Sequence, residues 1–215
     1  IIRMKIPNNF HIVDHALIKH KLSILRDIKT KSKEFRELTT EITSLLAYQA
    51  TKKLTLSSRE IKTPITATKG YNVELDNIVL VPILRAGLGM VEGMLSLIPN
   101  GRVGYIGMER DHNTHQPVDY YFKIPKQANQ KTFIVLDPML ATGGTMIAAI
   151  NRLKDLGAND IYSICIISSP EGMNEFCKHH HDVNIYTGAL DERLNKNKYI
   201  VPGLGDAGDR LYGTE

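Results

Sequence analysis

From residue 78 onwards, short runs of apolar residues alternate with segments that have the spacing of amphipathic helices. Helices are predicted at residues 86–98, 144–156 and 171–179, and strands at "NIVLVPIL", "GRVGYIGM", "KTFIVLD", "DIYSICIIS" and "DVNIYTG". Strands that are apolar along their whole length are typical of parallel sheets covered by helices on both faces. The sequence therefore predicts an α/β fold with a mainly parallel twisted sheet, in which ligands bind beyond the carboxyl ends of the strands.

Before this alternation, residues 32–51 have the pattern of one long helix. Ser32 is predicted to cap it. Its apolar stripe, predicted to pack in the core or against another subunit, consists of Phe35, Leu38, Ile42, Leu45 and Leu46.

Two long segments do not fit the alternation. Residues 109–130 are polar but contain "YYF", which favours a hairpin that can open and close. Residues 188–215 carry five glycines and little periodicity. Long irregular segments in a compact domain are usually either functional or disordered.

The composition is that of an ordinary globular protein of one domain. The chain has 215 residues, of which 42% are hydrophobic and 23% charged, and a formal net charge of +4. Its positive charges are spread along the chain, so no nucleic-acid partner is expected. No apolar run approaches the roughly 18 residues of a membrane span, and Cys165 reads as a reduced, buried thiol. We therefore expect no membrane association and a cytoplasmic location.

Glycine clusters are the candidate ligand-binding motifs. "PGLGDAGD" contains the spacing of a dinucleotide fingerprint, but only seven residues follow Gly208, so the acidic residue required about 20 positions later is not expected. "RAGLGMVEG" follows a strand and opens a helix, and Arg85 stands at the carboxyl end of that strand. An arginine there can bind phosphate oxygens with two parallel hydrogen bonds.

The strongest of these motifs is "DPMLATGGT", which we call the phosphate loop (residues 137–145). Its Thr142, Gly143, Gly144 and Thr145 lead into a helix, whose first N–H groups and dipole attract a phosphate. No lysine follows Gly144, which argues against an ATP-binding loop. Asp137 can accept hydrogen bonds from the hydroxyls of a sugar. Phosphate together with ribose is the predicted ligand.

Three stretches together resemble the uracil phosphoribosyltransferase family: "VLDPMLATGGT", "VPILRAGLGM" and "YIVPGLGDAGDR". The resemblance covers most of the chain from about residue 14 and is weakest at residues 55–75 and 111–130. It implies a single domain of the type I phosphoribosyltransferase fold. Its parts would be an N-terminal helical arm (about 1–54), a core sheet (about 76–187), a flexible hairpin and a C-terminal hood (about 188–215).

The resemblance also implies a reaction and a set of site residues. The reaction would transfer phosphoribose from 5-phosphoribosyl 1-diphosphate to N1 of uracil, giving uridine monophosphate and diphosphate. The implied donor-binding residues are Arg85, Arg110, Asp137, Pro138, Met139, Leu140, Ala141, Thr142, Gly143, Gly144, Thr145 and Asp206. The implied uracil-binding residues are Tyr199, Ile200, Gly205, Asp206 and Ala207. Asp206 is also the candidate catalytic residue, either taking the N1 proton or orienting the donor.

Magnesium is the expected cofactor, and it would be held mainly by substrate oxygens and water, which explains why no dedicated metal cage is present in the sequence. Members of this family form homodimers or homotetramers and differ in activation by guanosine triphosphate, and both questions stay open. Two alternatives also stay open: a transferase for another base, such as a purine, and an RNA-binding regulator on the same fold. His112, His115 and the run His179–His181 are expected to be solvated surface residues.

Overall fold

The computed structural model describes residues 5–110 and 117–214, with the side chains of 109, 110 and 117–119 outside the description. The α-helices are α1 (Ala16–Arg26), α2 (Ser32–Ala50), α3 (Val91–Leu95), α4 (Gly144–Asp155), α5 (Pro170–His179) and α6 (Ala207–Tyr212). The strands are β1 (Phe10–Ile12), β2 (Ser57–Lys62), β3 (Ala67–Asn72), β4 (Ile78–Leu84), β5 (Arg102–Val103), β6 (Tyr105–Arg110), β7 (Pro117–Lys123), β8 (Thr132–Leu136), β9 (Met139–Leu140), β10 (Asp160–Ser168), β11 (Asn184–Leu190), β12 (Arg193–Leu194) and β13 (Ile200–Val201).

A mainly parallel sheet forms the centre of the molecule. Its strand order is β1-β11-β10-β8-β4-β6-β7, with β5 beside β4 and β9 beside β10. Within this sheet the pairing of β6 with β7 is antiparallel, and the other pairings are parallel. The predicted fold class is confirmed.

Helices cover both faces of this sheet, because alternate residues of each apolar strand point to opposite sides. Leu80 and Ile134 face a core cluster that contains residues of α1, α2, α3 and α6. Val81 and Val135 face the second cluster, which contains residues of α4 and α5. The arrangement explains why the central strands read as continuous apolar runs.

Helix α2 confirms the predicted stripe but not the predicted cap. Phe35, Leu38, Ile42 and Leu46 are buried in the core. Ser32 is the first residue of the helix, and Lys31 stands at the cap position without a side-chain hydrogen bond. The prediction that Ser32 caps the helix is therefore wrong, because the backbone turns one residue earlier.

The helix predicted at 86–98 is shorter than expected. Residues Ala86–Met90 form a 3₁₀ turn, and α3 occupies only Val91–Leu95. A Cβ atom at Gly87 would overlap the carbonyl oxygen of Leu136 at the end of β8. The turn after β4 therefore packs directly on the strand that leads into the phosphate loop.

The segment 109–130 contains the predicted hairpin, since β6 pairs with β7. Residues 111–116, which include His112 and His115, lie outside the described residues. A second hairpin, formed by β2 and β3, extends over residues 57–72 with its side chains mostly exposed. No helix in the described part of the chain is long and apolar enough to cross a membrane.

The expectation that the whole run His179–His181 is solvated is wrong for His180. This side chain is 2% exposed and lies 3.1 Å from the ammonium group of Lys154, which also binds Asp182. Burial lowers the pKa of the His180 imidazole. A lysine 26 residues away thus holds the ring between α4 and α5, a contact that no local sequence pattern reports.

Candidate active site

The carboxyl ends of β4 and β8 and the C-terminal hood meet at one edge of the sheet. Arg85 directly follows β4, and Asp137 directly follows β8. Asp206 of the hood lies close enough for its charge to raise the pKa of Asp137. Three segments predicted separately from the sequence are therefore neighbours in the fold.

The phosphate loop is held by the backbone of its neighbouring strand. The carbonyl oxygen of Pro138 accepts hydrogen bonds from the N–H groups of Ile166 and Ile167, and Leu140 accepts one from Ser169. The Ser169 hydroxyl also donates to the carbonyl of Ala141 at 2.6 Å. The inner side of the loop is thereby bound to β10 and to the start of α5.

Beyond these contacts, the loop turns into α4 through Gly143. This residue has a φ of +84°, a left-handed conformation that strains any residue with a Cβ atom. It stands at the N-cap of α4 and has no side chain to bind the first N–H groups of the helix. Those groups face a cavity of about 50 Å³ lined by seven loop residues and Met146 of α4. The arrangement suits a bound phosphate.

Asp137 is the first residue of the phosphate loop, and its carboxyl group has a raised pKa. Burial raises its pKa to about 7. The N–H group of Met139 lowers the pKa, and the charge of Asp206 raises it further. Near neutral pH the carboxyl therefore exists in both protonation states. A cation or a set of hydroxyl donors at this carboxylate would favour its ionised form.

Arg85 spans the gap between β4 and the hood. Its guanidinium lies 3.5 Å from the carboxylate of Asp209 and 5.9 Å from the ring centre of Tyr212. The side chain is 57% exposed, so its donors are accessible to a ligand. The peptide between Leu84 and Arg85 is cis.

Arg110 is the last residue of β6, where its backbone pairs with Pro117. Its side chain falls outside the description, so its predicted contact with the diphosphate stays a prediction. The strand nevertheless belongs to the same sheet and lies beside β4.

The hood, about residues 188–215, includes the end of β11 and folds back as the short pair β12 and β13. Gly203 and Gly205 both have positive φ values, +65° and +79°. The backbone then enters α6, where the Asp206 side chain accepts a hydrogen bond from the N–H of Asp209 at 3.0 Å. One carboxylate oxygen of Asp206 therefore caps α6.

The predicted uracil-binding residues occupy two environments within the hood. Ile200 and Ala207 are buried, whereas Tyr199 is 47% exposed and Gly205 is exposed. Ile200 belongs to the core cluster. Its backbone in β13 pairs with Leu194, whereas Gly205 lines a cavity.

Sequence reasoning missed three charged residues that hold the hood in place. Arg26 binds the carboxylate of Asp191 and the carbonyl of Gly203. Arg210 donates to the carbonyls of Leu25, Asp27, Thr30 and Leu204. Of these three residues, only Asp191 could have been singled out from the sequence, because it stands at the carboxyl end of a strand, β11.

Magnesium can be tested against the donor atoms of this site. No group of three or more histidine, cysteine or carboxylate side chains suited to a metal occurs among residues 5–110 and 117–214 for which side chains are described. Two carboxylates, Asp137 and Asp206, do lie in this region, and the charge of Asp206 contributes to the raised pKa of Asp137. This donor set fits a hard cation that keeps most of its ligands from substrate and water.

Comparison with known proteins gives a consistent result. A family model described as uracil phosphoribosyltransferase matches residues 12–214. The uracil phosphoribosyltransferase of Bacillus pumilus is 51% identical over 205 residues, which cover 95% of this chain and 98% of that protein. That of Fervidobacterium nodosum is 54% identical, with 95% and 99% covered.

Solved structures with a similar fold were also found. A protein from Aquifex aeolicus has a TM-score of 0.90 and 38% identity, covering 96% of this chain and 99% of that one. A hypoxanthine-guanine phosphoribosyltransferase from Bacillus anthracis has a TM-score of 0.51 and 13% identity, with 72% and 78% covered. The second likeness concerns the fold alone.

Proposed function

The chain belongs to the uracil phosphoribosyltransferase family, and we propose that the sheet edge formed by the phosphate loop and the hood is its active site. The reaction breaks the bond from ribose C1 to diphosphate and forms a bond from C1 to N1 of uracil, with loss of the N1 proton. The observation that carries this placement is that Arg85, at the end of β4, lies 3.5 Å from Asp209 of the hood, while Gly87 packs on Leu136, which directly precedes the phosphate loop.

The phosphate loop binds the 5-phosphate of the donor in this proposal. The first N–H groups of α4 and the hydroxyls of Thr142 and Thr145 would donate to the phosphate oxygens. Asp137 would accept hydrogen bonds from the ribose hydroxyls in its ionised form. Burial raises the pKa of Asp137 to about 7, and hydrogen bonds from the ribose hydroxyls would favour its ionised form.

The leaving diphosphate requires fixed positive charge. Arg85 is accessible at the end of β4, and the resemblance places Arg110 with it. As the bond at C1 breaks, negative charge grows on the diphosphate, and guanidinium groups held in position stabilise it. Magnesium, when bound, would supply further charge neutralisation at the diphosphate, with Asp137 and Asp206 able to hold its water ligands.

The base is recognised by backbone groups of the hood in this proposal. Uracil presents an acceptor, a donor and another acceptor along one edge, which N–H and C=O groups near Ile200 and Gly205–Ala207 can match. Cytosine would leave buried groups unpaired, at a typical cost of about 1–3 kcal/mol. Tyr199 is exposed at the rim, where it can cover a face of the ring.

The role of Asp206 is narrowed by its hydrogen bond to Asp209. One of its oxygens caps α6, so the other is the group available to the N1 proton or to the donor. Asp206→Asn keeps an oxygen for the cap but loses the negative charge. We expect turnover to fall while the helix remains folded, and turnover equal to wild type would exclude a chemical role.

The test of the reaction is an assay of base specificity. The protein is incubated with 5-phosphoribosyl 1-diphosphate, magnesium and each of uracil, cytosine, orotate and hypoxanthine. Formation of uridine monophosphate from uracil alone is expected, and a nucleotide from hypoxanthine alone would favour the purine alternative. Absence of all products, with salt-dependent binding to RNA, would favour the regulator.

Assembly, regulation and location follow as parts of the same proposal. We infer a homo-oligomer, because the β2–β3 hairpin exposes Ile61, Ile65 and Tyr71. Sedimentation measures its size, and the assay repeated with guanosine triphosphate measures activation. A cytoplasmic location is consistent with two buried free cysteines, whose thiol pKa values burial raises.

A further inference from the structure

Arg26 and Asp191 form a buried ion pair that also binds one residue of the hood backbone. The guanidinium contacts both carboxylate oxygens, at 2.5 and 2.7 Å. It also donates to the carbonyl of Gly203 at 2.7 Å, while the carboxylate accepts the N–H of Gly203 at 2.9 Å. The Asp191 side chain is 4% exposed and that of Arg26 is 22% exposed.

Gly203 has a backbone conformation that disfavours any residue with a Cβ atom. It has a φ of +65°, in the left-handed region. A Cβ atom there would overlap the carbonyl oxygen of Ile200. Two residues later the chain reaches Gly205, where the proposed base-binding backbone begins.

We propose that Arg26 and Asp191, here called the clamp pair, are positioning residues for the base-binding backbone of the hood. By fixing both the N–H and the C=O of Gly203, the clamp pair sets where the backbone groups of Gly205–Ala207 stand relative to the phosphate loop. The inference rests on the proposed function, since it assigns a task to the same site. Neither residue contacts the base in it.

The clamp pair acts through polarity as well as charge. The carboxylate can accept a hydrogen bond from an N–H, and the guanidinium can donate to a carbonyl, but neither can replace the other. An ordinary ion pair tolerates exchange of its two charges. Exchange of these two would put a carboxylate against the Gly203 carbonyl and leave the N–H facing a cation.

The experiment compares Arg26→Met, Arg26→Lys and Asp191→Asn with wild type in steady-state assays of both substrates. We expect the KM for uracil to rise about 10-fold or more in Arg26→Met and less in Arg26→Lys, which keeps the charge but not the planar fork. The KM for the donor should change by less than about 2-fold. A structural defect alone would alter both constants together.

A matched control is present on the same helix. Lys21 of α1 binds Glu41 of α2 at 2.6 Å on the surface, and it makes no hydrogen bond or ion pair with the described residues of the hood. Lys21→Met should leave the KM for uracil at its wild-type value. The exchanged double variant, Arg26→Asp with Asp191→Arg, should not recover the KM for uracil.

Several outcomes would overturn the inference. They are an unchanged KM for uracil in folded Arg26→Lys or Asp191→Asn, equal changes in both KM values, and recovery in the exchanged variant. Asp191→Asn keeps the size of the side chain. If Asp191→Asn nevertheless fails to fold, the KM for uracil of Arg26→Lys decides the matter. A wild-type protein inactive with uracil would instead overturn the proposed function, and this inference with it.

Discussion

The phosphate loop and the hood lie at the same edge of the sheet but are held there in different ways. Backbone hydrogen bonds from the adjacent β10 and the start of α5 hold the phosphate loop. Charged side chains from distant parts of the chain hold the hood, with Arg26 reaching Asp191 across 165 positions. The first attachment is local to the sheet, and the second crosses nearly the whole sequence.

This difference has a chemical counterpart in the proposed function. Many loops bind a phosphate in the same way, since a glycine-rich turn into a helix offers N–H groups. Base recognition as proposed needs particular backbone groups at particular positions, and a glycine-rich segment does not hold them by itself. Charged side chains that bind the hood backbone would act as braces, and removing a brace should affect the two regions unequally.

Arg210 is the brace whose loss should have the largest effect. Its guanidinium lies 4.5 Å from the ring centre of Phe35 and donates to the backbone carbonyls of Leu25, Arg26, Asp27, Thr30 and Leu204. Arg210→Met leaves several carbonyls without a donor, so the free energy of unfolding should fall by about 3 kcal/mol. Denaturant titration measures it.

The control for Arg210 is Arg152, which is exposed and lies 5.0 Å from the ring centre of Phe122. Arg152→Met should lower the free energy of unfolding by less than about 1 kcal/mol. Equal losses in the two variants would contradict the role of Arg210 as a brace.

Arg85→Ala should impair the kinetics of the donor and not of uracil, whereas variants of the clamp pair should raise the KM for uracil and not for the donor. We expect kcat/KM for the donor to fall roughly 100-fold, about 2.7 kcal/mol, because a fixed charge near the leaving group is lost. The KM for uracil should change little, as should stability, since the side chain is 57% exposed. Arg102→Ala, an exposed arginine on β5, is the control. Unchanged donor kinetics would refute the placement of Arg85.

The pH dependence of stability should reveal Asp137. Its pKa is about 7 in the folded protein and near 3.8 in the unfolded chain. Between these values the folded state holds a proton that the unfolded state has lost, so this contribution to stability is present below about pH 4 and lost as the pH rises through 7. Between pH 5 and 7.5 the loss should be about 2.5 kcal/mol.

Asp137→Asn removes that proton and should flatten the profile over the same interval. His180 acts with the opposite sign, because burial lowers its pKa: the unfolded chain takes up the proton first, and stability falls as the pH drops below about 6.5. Parallel profiles for wild type and Asp137→Asn would mean that Asp137 titrates normally.

The smallest expected effect is that of alanine at Gly143, and Gly157 is the matched control position. They lie at the two ends of α4, with φ values of +84° and +87°. Alanine at either should cost about 1 kcal/mol of stability, because both conformations are left-handed. Only Gly143→Ala should also raise the KM for the donor, since only that residue lines the loop cavity. A raised donor KM in Gly157→Ala would show that strain alone explains the effect.

Much of the sheet and the phosphate loop could be predicted from the sequence because their signals are local. The predicted strand "DIYSICIIS" coincides with β10, and the helix predicted at 144–156 differs from α4 by one residue at its end. Strand β1 was not predicted, since three residues, Phe10–Ile12, carry no periodicity. It joins the sheet only through β11, more than 170 positions later.

The hood shows the same limit more clearly. Its glycines marked it as functional, but nothing near Asp191 in the sequence indicates a partner at Arg26. The 3₁₀ turn at 86–90 was missed for a related reason, since its shape depends on the packing of Gly87 against Leu136. Contacts between distant positions decide these features, and a single sequence does not report them.

The distance along the chain between Arg26 and Asp191 has a consequence during synthesis. At about 5–20 residues per second, the ribosome needs roughly 8–33 s to reach Asp191 after Arg26. Strands β4, β8 and β10, which carry the phosphate loop, are complete by Ser168. The nascent chain therefore contains the strands of the proposed phosphate site before it contains the hood, which is proposed to bind the base.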